Sequence, residues 1–116
     1  MRGLILCAGE GKRLRPLTWF TPKPMLKIAG KPVLEHIVNH IQAFGINEIY
    51  INIHHLPMSF MRHFRYNVNF VYEPKILGEI GTIEVVRGRI GQDYLLVANG
   101  DTLTNLDLSQ MYKLGG

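Results

Sequence analysis

Strand-sized apolar runs alternate with helix-sized amphipathic ones along this chain, and few folds accept that order. Gly3 to Cys7 is a short apolar run that ends in Ala8-Gly9-Glu10-Gly11, which reads as a buried strand entering a glycine loop. Pro16, Pro22 and Pro24 argue against a regular helix between residues 12 and 24, and Met25 to Ile28 suits a short strand before a turn at Ala29-Gly30. A helix follows: Pro32 fits its first turn, Gly45 its stop, and Val33, Leu34, Ile37, Val38, Ile41 and Phe44 make one apolar stripe. Glu48 to Ile53 reads as a strand buried on both faces, Pro57 to Arg65 as a short helix, and Val68 to Tyr72 as another strand. The stripe Ile80, Ile83, Val86 and Ile90 predicts a helix over 79–90, weakened by Gly81 and Gly88. Tyr94 to Ala98 is a strand closed by Asn99-Gly100-Asp101, and Leu108 to Leu114 is expected to open a helix. The alternation predicts an open, mostly parallel α/β sheet with right-handed crossovers and helices on both faces. Ligands of such sheets bind beyond the carboxyl ends of the strands, where the loops after Cys7 and after Ala98 lie.

Charge narrows the class of ligand. Residues 1–31 carry seven Lys or Arg against the single acid Glu10, whereas the rest of the chain is slightly acidic. Basic charge packed around glycines and prolines suits a polyanion, and its alternative is a solvated basic face. Nucleic-acid binding would spread the charge along a groove with stacking aromatics, so phosphates of a small ligand are the expected partner. With 47% hydrophobic and 19% charged residues the chain has the composition of a folded domain. No apolar run approaches the roughly 20 residues that cross a bilayer, so no membrane partner is expected. Cys7 is the only cysteine, which suits a reducing, cytoplasmic location.

The loop Gly9-Glu10-Gly11-Lys12-Arg13-Leu14 allows backbone N–H groups to approach a phosphate. It is not a dinucleotide fingerprint, which needs glycine at Leu14, nor a P-loop, which needs glycine at Leu6 and Ser or Thr at Arg13. From Gly9 to Thr18 the order Gly-x-Gly, one residue, then Arg-Leu-x-Pro-Leu-Thr resembles the signature of the sugar-1-phosphate nucleotidyltransferases. Thr21-Pro22-Lys23-Pro24-Met25 and Lys27-Ile28-Ala29-Gly30-Lys31-Pro32 extend the match. Gly45-Ile46, the segment Glu73 to Gly81 and the turn Asn99-Gly100-Asp101 resemble the same family in the same order.

That resemblance implies a Rossmann-like fold and transfer of a nucleotidyl group from a nucleoside triphosphate to a sugar-1-phosphate, with Mg²⁺ as cofactor. It is nearest to members that use mannose- or glucose-1-phosphate. By the same resemblance Ala8, Gly9, Gly11, Lys12 and Gly78 would contact the nucleotide. Arg13 would hold the leaving phosphates with a planar fork. Lys23 would stand as a point charge between the α-phosphate and the incoming sugar phosphate, and Asp101 would offer Mg²⁺ a carboxylate oxygen. Each has a plainer rival: a surface arginine, a solvated turn between prolines, a turn or capping aspartate. Cys7 reads as a buried small hydrophobe, and His54-His55 as a strand end rather than a metal site. Trp19-Phe20 is either local packing or a lid.

Two departures from the family stand out. Its Leu-Gly-Thr-Ala-Gly is here Leu77-Gly78-Glu79-Ile80-Gly81, which brings a negative charge to a phosphate site unless Glu79 turns outward as a helix N-terminal acid. Family members also continue well past residue 116 with sugar contacts and a second carboxylate. Residues 1–116 are therefore expected to be the nucleotide-binding part, with the sugar half absent and supplied, if at all, by a second copy or a partner chain. The alternative function is an incomplete module that binds NTP or a protein without turnover.

Overall fold

The computed structural model describes residues 1–9, 13, 15–64, 68–100 and 110–114. In chain order the elements are β1 (Arg2–Leu6), the one-turn helix α1 (Leu17–Phe20) and a 3-10 turn at Lys23–Met25. The hairpin strands β2 (Lys27–Ile28) and β3 (Lys31–Pro32) and helix α2 (Val33–Ala43) come next. They are followed by β4 (Ile49–Ile53), α3 (Pro57–His63), β5 (Asn69–Tyr72), α4 (Gly78–Ile90), β6 (Asp93–Asn99) and β7 (Gln110–Leu114). The main sheet has the order β5-β4-β1-β6-β7, parallel except for β7. This is the open, mostly parallel sheet expected from the alternation.

Period-two side chains divide the core into two layers. Ile5, Ile49, Ile51 and Ile53 face α2 and α3, where they meet Leu34, Ile37, Ile41, Phe60 and Phe64. Leu4, Tyr50, Val71, Leu95 and Val97 face α4, against Ile83 and Val86. Helices therefore cover both faces. Each fully buried Ile or Leu contributes roughly 1.5–3 kcal/mol relative to exposure, so the five buried side chains of α2 dock it firmly.

Four details differ from the sequence expectation. The helix expected from Leu108 is absent over its described part: residues 110–114 are a strand, antiparallel to β6 from Asp93↔Leu114 to Val97↔Gln110. Tyr112 and Leu114 turn toward the α4 layer, and the open edge of β6 gains backbone partners that an apolar count along so short a run cannot foresee. Phe44 is 75% exposed because α2 ends at Ala43, so its ring lies beside His40 with centroids 5.1 Å apart. Ile80 is 69% exposed, and Thr82 takes the inner position of the first turn of α4. Between the prolines, α1 and the 3-10 turn show that single helical turns fit where a longer helix does not.

At the amino edge of the sheet Arg2 joins three segments. Its guanidinium bonds Glu48 and lies 2.5 Å from Asp93 Oδ2, while the Met1 α-amino group stands 3.4 Å from Asp93 Oδ1. The Tyr94 N–H, then the Met1 amine and Arg2, hold the Asp93 carboxyl below its usual range.

At the opposite edge Gly100 is buried, and its N–H donates to Leu6 O at 3.1 Å. A Cβ there would stand 2.4 Å from Cys7 Sγ and 3.1 Å from Ile5 Cγ2. Gly100→Ala should therefore lower stability by about 1–3 kcal/mol in urea unfolding, and by less in a Cys7→Ala background. Because the folded pKa of Asp93 is depressed, its stabilisation is complete above the unfolded value of about 4 and is lost as pH falls below it. Unfolding midpoints measured between pH 6 and pH 2.5 should fall less steeply for Asp93→Asn than for the wild type.

Candidate functional site

The chain fills the sheet outward from β1 in both directions, first through β4 and β5 and then through β6 and β7. The order therefore reverses between β1 and β6, and a crevice at their carboxyl ends is where such sheets bind ligands. The register Leu6↔Asn99 and the Gly100 N–H bond bring the two loops that leave these strands side by side.

Ala8 is buried and Gly9 is exposed. Gly9 has no positive φ, and a Cβ on it would meet nothing within 4 Å among the described residues. Among the described residues, neither backbone conformation nor packing accounts for glycine there. Gly78 is different: its φ of +78° is a conformation that side chains disfavour, which by itself explains the glycine. A Cβ on Gly81 would come 2.9 Å from Leu77 Cβ, so this glycine permits a close turn.

A buried polar network ties these places together. The Cys7 N–H donates to Asn52 Oδ1 at 2.5 Å, and Asn52 Nδ2 reaches Glu73 Oε2 at 3.2 Å and Thr82 Oγ1 at 3.3 Å. The Thr82 hydroxyl bonds the Glu73 carboxyl and lies 3.0 Å from Gly78 O, and the Leu77 N–H donates to Glu73 Oε1 at 3.1 Å. Glu73 is only 1% exposed, and every donor named here comes from an amide, a backbone N–H or a hydroxyl. The start of the glycine loop, the end of β4, the end of β5 and the first turn of α4 are thus locked together. Sequence reasoning did not single out Asn52, Glu73 or Thr82. The signal for one of them was present, because Asn52 interrupts an otherwise apolar strand and a buried amide requires partners.

Arg13 is exposed, and Lys23 is half-buried between the buried residues Pro22 and Pro24. Met25 anchors that turn in the same core cluster as Cys7. Gly11, Lys12 and Asp101 lie outside the described residues. His54 Nδ1 is 2.7 Å from Glu73 O, and His55 bonds Thr18 O, so both rings make structural contacts at the end of β4. No group of three potential metal ligands from His, Cys, Asp or Glu occurs among the described residues. Nor is any described helix long and apolar enough to cross a membrane. Trp19 and Phe20 are 55% and 81% exposed, and the Arg15 guanidinium stands 5.9 Å from the Trp19 ring centroid.

A mostly parallel sheet that reverses its order at β1, with helices on both faces, is the architecture of a Rossmann-like α/β protein. The chain belongs to the nucleotidyl transferase family, whose model matches residues 2–114. It is 38% identical to a mannose-1-phosphate guanylyltransferase of Mycobacterium tuberculosis, over 93% of this chain and 32% of that protein. It is 36% identical to an N-acetylmuramate alpha-1-phosphate uridylyltransferase of Neisseria meningitidis, over 97% of this chain and 52% of that one. A CTP:phosphocholine cytidylyltransferase of Streptococcus pneumoniae superposes with a TM-score of 0.73 and 31% identity, over 86% of this chain and 44% of its own. The chain thus spans about a third to a half of these relatives.

Asn52→Leu would remove the acceptor of the Cys7 N–H and one of the two donors to Glu73 Oε2, in a buried place that water does not reach. Loss of about 2–4 kcal/mol in urea unfolding is expected, more than a surface Asn→Leu costs.

Proposed function

We propose that this chain carries the nucleoside triphosphate site of a sugar-1-phosphate nucleotidyltransferase, in the crevice between the carboxyl ends of β1 and β6. The observation that carries the reading is the topological reversal at β1, with Gly9 exposed and the Gly100 N–H bonded to Leu6 O at the end of β1. The relatives named above all bear names of nucleotidyl transfer to a phosphate-bearing acceptor, which supports the same reaction here.

In that reaction a phosphate oxygen of the sugar-1-phosphate attacks the α-phosphorus of the triphosphate. The α–β phosphoanhydride bond breaks, and pyrophosphate leaves with the bonding electron pair. Charge grows on the α-phosphate oxygens and on the leaving group, so preplaced cations contribute most to rate. N–H groups of residues 8–11 and Gly78 would cradle the nucleotide, with Lys12 close to its phosphates. Arg13 would bind two oxygens of the leaving pyrophosphate, and Lys23, held on its rigid proline turn, would bridge the two reacting phosphates.

The donor chemistry fits Mg²⁺, which commonly takes one or two carboxylates plus substrate phosphate oxygens. Asp101 would supply the carboxylate, one residue beyond the pinned Gly100. When bound, the ion neutralises charge on the phosphates. A cytoplasmic location suits these substrates.

Thermal melting with each NTP and Mg²⁺ tests the site. A ligand at 100 times its dissociation constant adds about 2.7 kcal/mol, a shift on the order of 10 °C for a domain of this size. The shift should appear for one or two NTPs and vanish in Arg13→Ala. A shift without pyrophosphate release on adding mannose- or glucose-1-phosphate would mark a binding module rather than an enzyme. No shift with any NTP would refute the site.

A further inference from the structure

The acid at position 79 stands in the first turn of α4, next to Gly78 and three residues before Thr82 of the buried network. A carboxylate is favourable at a helix N-terminus, yet a triphosphate bound in the neighbouring crevice would repel it. Its placement resolves the conflict. The Tyr112 hydroxyl on β7 donates to Glu79 Oε2 at 2.8 Å. The same hydroxyl lies 2.5 Å from Gln110 Oε1, so its one proton faces two acceptors, of which the charged carboxylate is the stronger.

Tyr112 is well anchored for this task. Its ring packs against the α4-side core, and its backbone pairs with Leu95, which in turn pairs with Arg2. Tyr112 is therefore rooted two strands from β1, level with the amino end of that strand. Arg2 lies four residues before Leu6, roughly 13 Å along the sheet from the carboxyl edge at the usual strand rise. The Glu79 carboxylate is thereby bonded to a residue of β7, two strands from β1.

We propose that Tyr112 is a positioning residue for nucleotide binding, which holds the Glu79 carboxylate over β7 so that it does not oppose the triphosphate. The inference rests on the nucleotide site proposed above and explains how this chain accommodates an acid in the Leu77–Gly81 turn. It also assigns β7 a role beyond completing the sheet. The bond keeps the hydroxyl neutral over a wider pH range, since Glu79 holds the Tyr112 pKa above its ordinary value.

The test is a double-mutant cycle on the whole 116-residue chain. Calorimetry would give Kd for whichever of ATP, GTP, CTP, UTP and dTTP, with Mg²⁺, raises the melting temperature most. Tyr112→Phe should weaken binding about fivefold, the scale of one extra like charge near a solvated polyphosphate. That loss should shrink in 0.5 M salt, about which the screening length is only a few ångströms. Tyr112→Phe combined with Glu79→Gln should bind within about twofold of Glu79→Gln alone, because the charge to be restrained is gone. Equal affinity of Tyr112→Phe and wild type would overturn the inference, as would a loss that persists undiminished in the double variant. A purely structural role for Tyr112 predicts that persistence. If wild type binds no triphosphate, the nucleotide site itself is refuted and this inference with it.

Discussion

The fit of Gly100 against the end of β1 is the constraint on which the site depends. Its N–H completes a bond to Leu6 O, and any side chain on it would enter the volume of Cys7 Sγ. The contact holds β6 beside β1 at the place where the sheet changes direction, so two loops far apart in sequence leave the sheet as neighbours. At the carboxyl ends of this parallel pair Cys7, Ala8 and Gly100 are all buried, and packed interiors deform little.

Asn52 extends that rigidity sideways. Its amide uses its oxygen on Cys7 N–H and its NH₂ group on Glu73 and Thr82, so one side chain ties Cys7, just past β1, to the start of α4. The network is costly to bury and gives little if half-made, but complete it fixes one arrangement. The first turn of α4 consequently presents Thr82 inward, leaves Ile80 in solvent and sends Glu79 to Tyr112. The same local geometry thus accounts for the exposed Ile80 of the helix stripe and for the direction of the Glu79 side chain.

The basic N-terminal segment fits this frame as a set of cations arranged on short rigid pieces. Lys23 sits on a 3-10 turn between two buried prolines, and Met25 secures that turn in the α2–α3 core. Arg13 is exposed to solvent. Fixed cations around an anionic reaction centre lower its barrier without reorganising when charge develops.

Much of the fold was legible along the chain. The stripes of α2 and α4, the five buried residues of β4 and the glycine stops gave the α/β alternation, and the ordered motif from Gly9 to Pro32 gave the family. Those features are local: periodicity, turn chemistry and spacing are properties of neighbours in sequence. Tertiary structure decided what depends on partners distant in sequence. It made residues 110–114 a strand because β6 offered an open edge, left Phe44 outside because α2 ended a residue early, and gave Asn52, Glu73 and Thr82 one another. It also turned Glu79 toward β7, since the direction of a carboxylate is set by the hydroxyl that reaches it, and that hydroxyl lies 33 positions away.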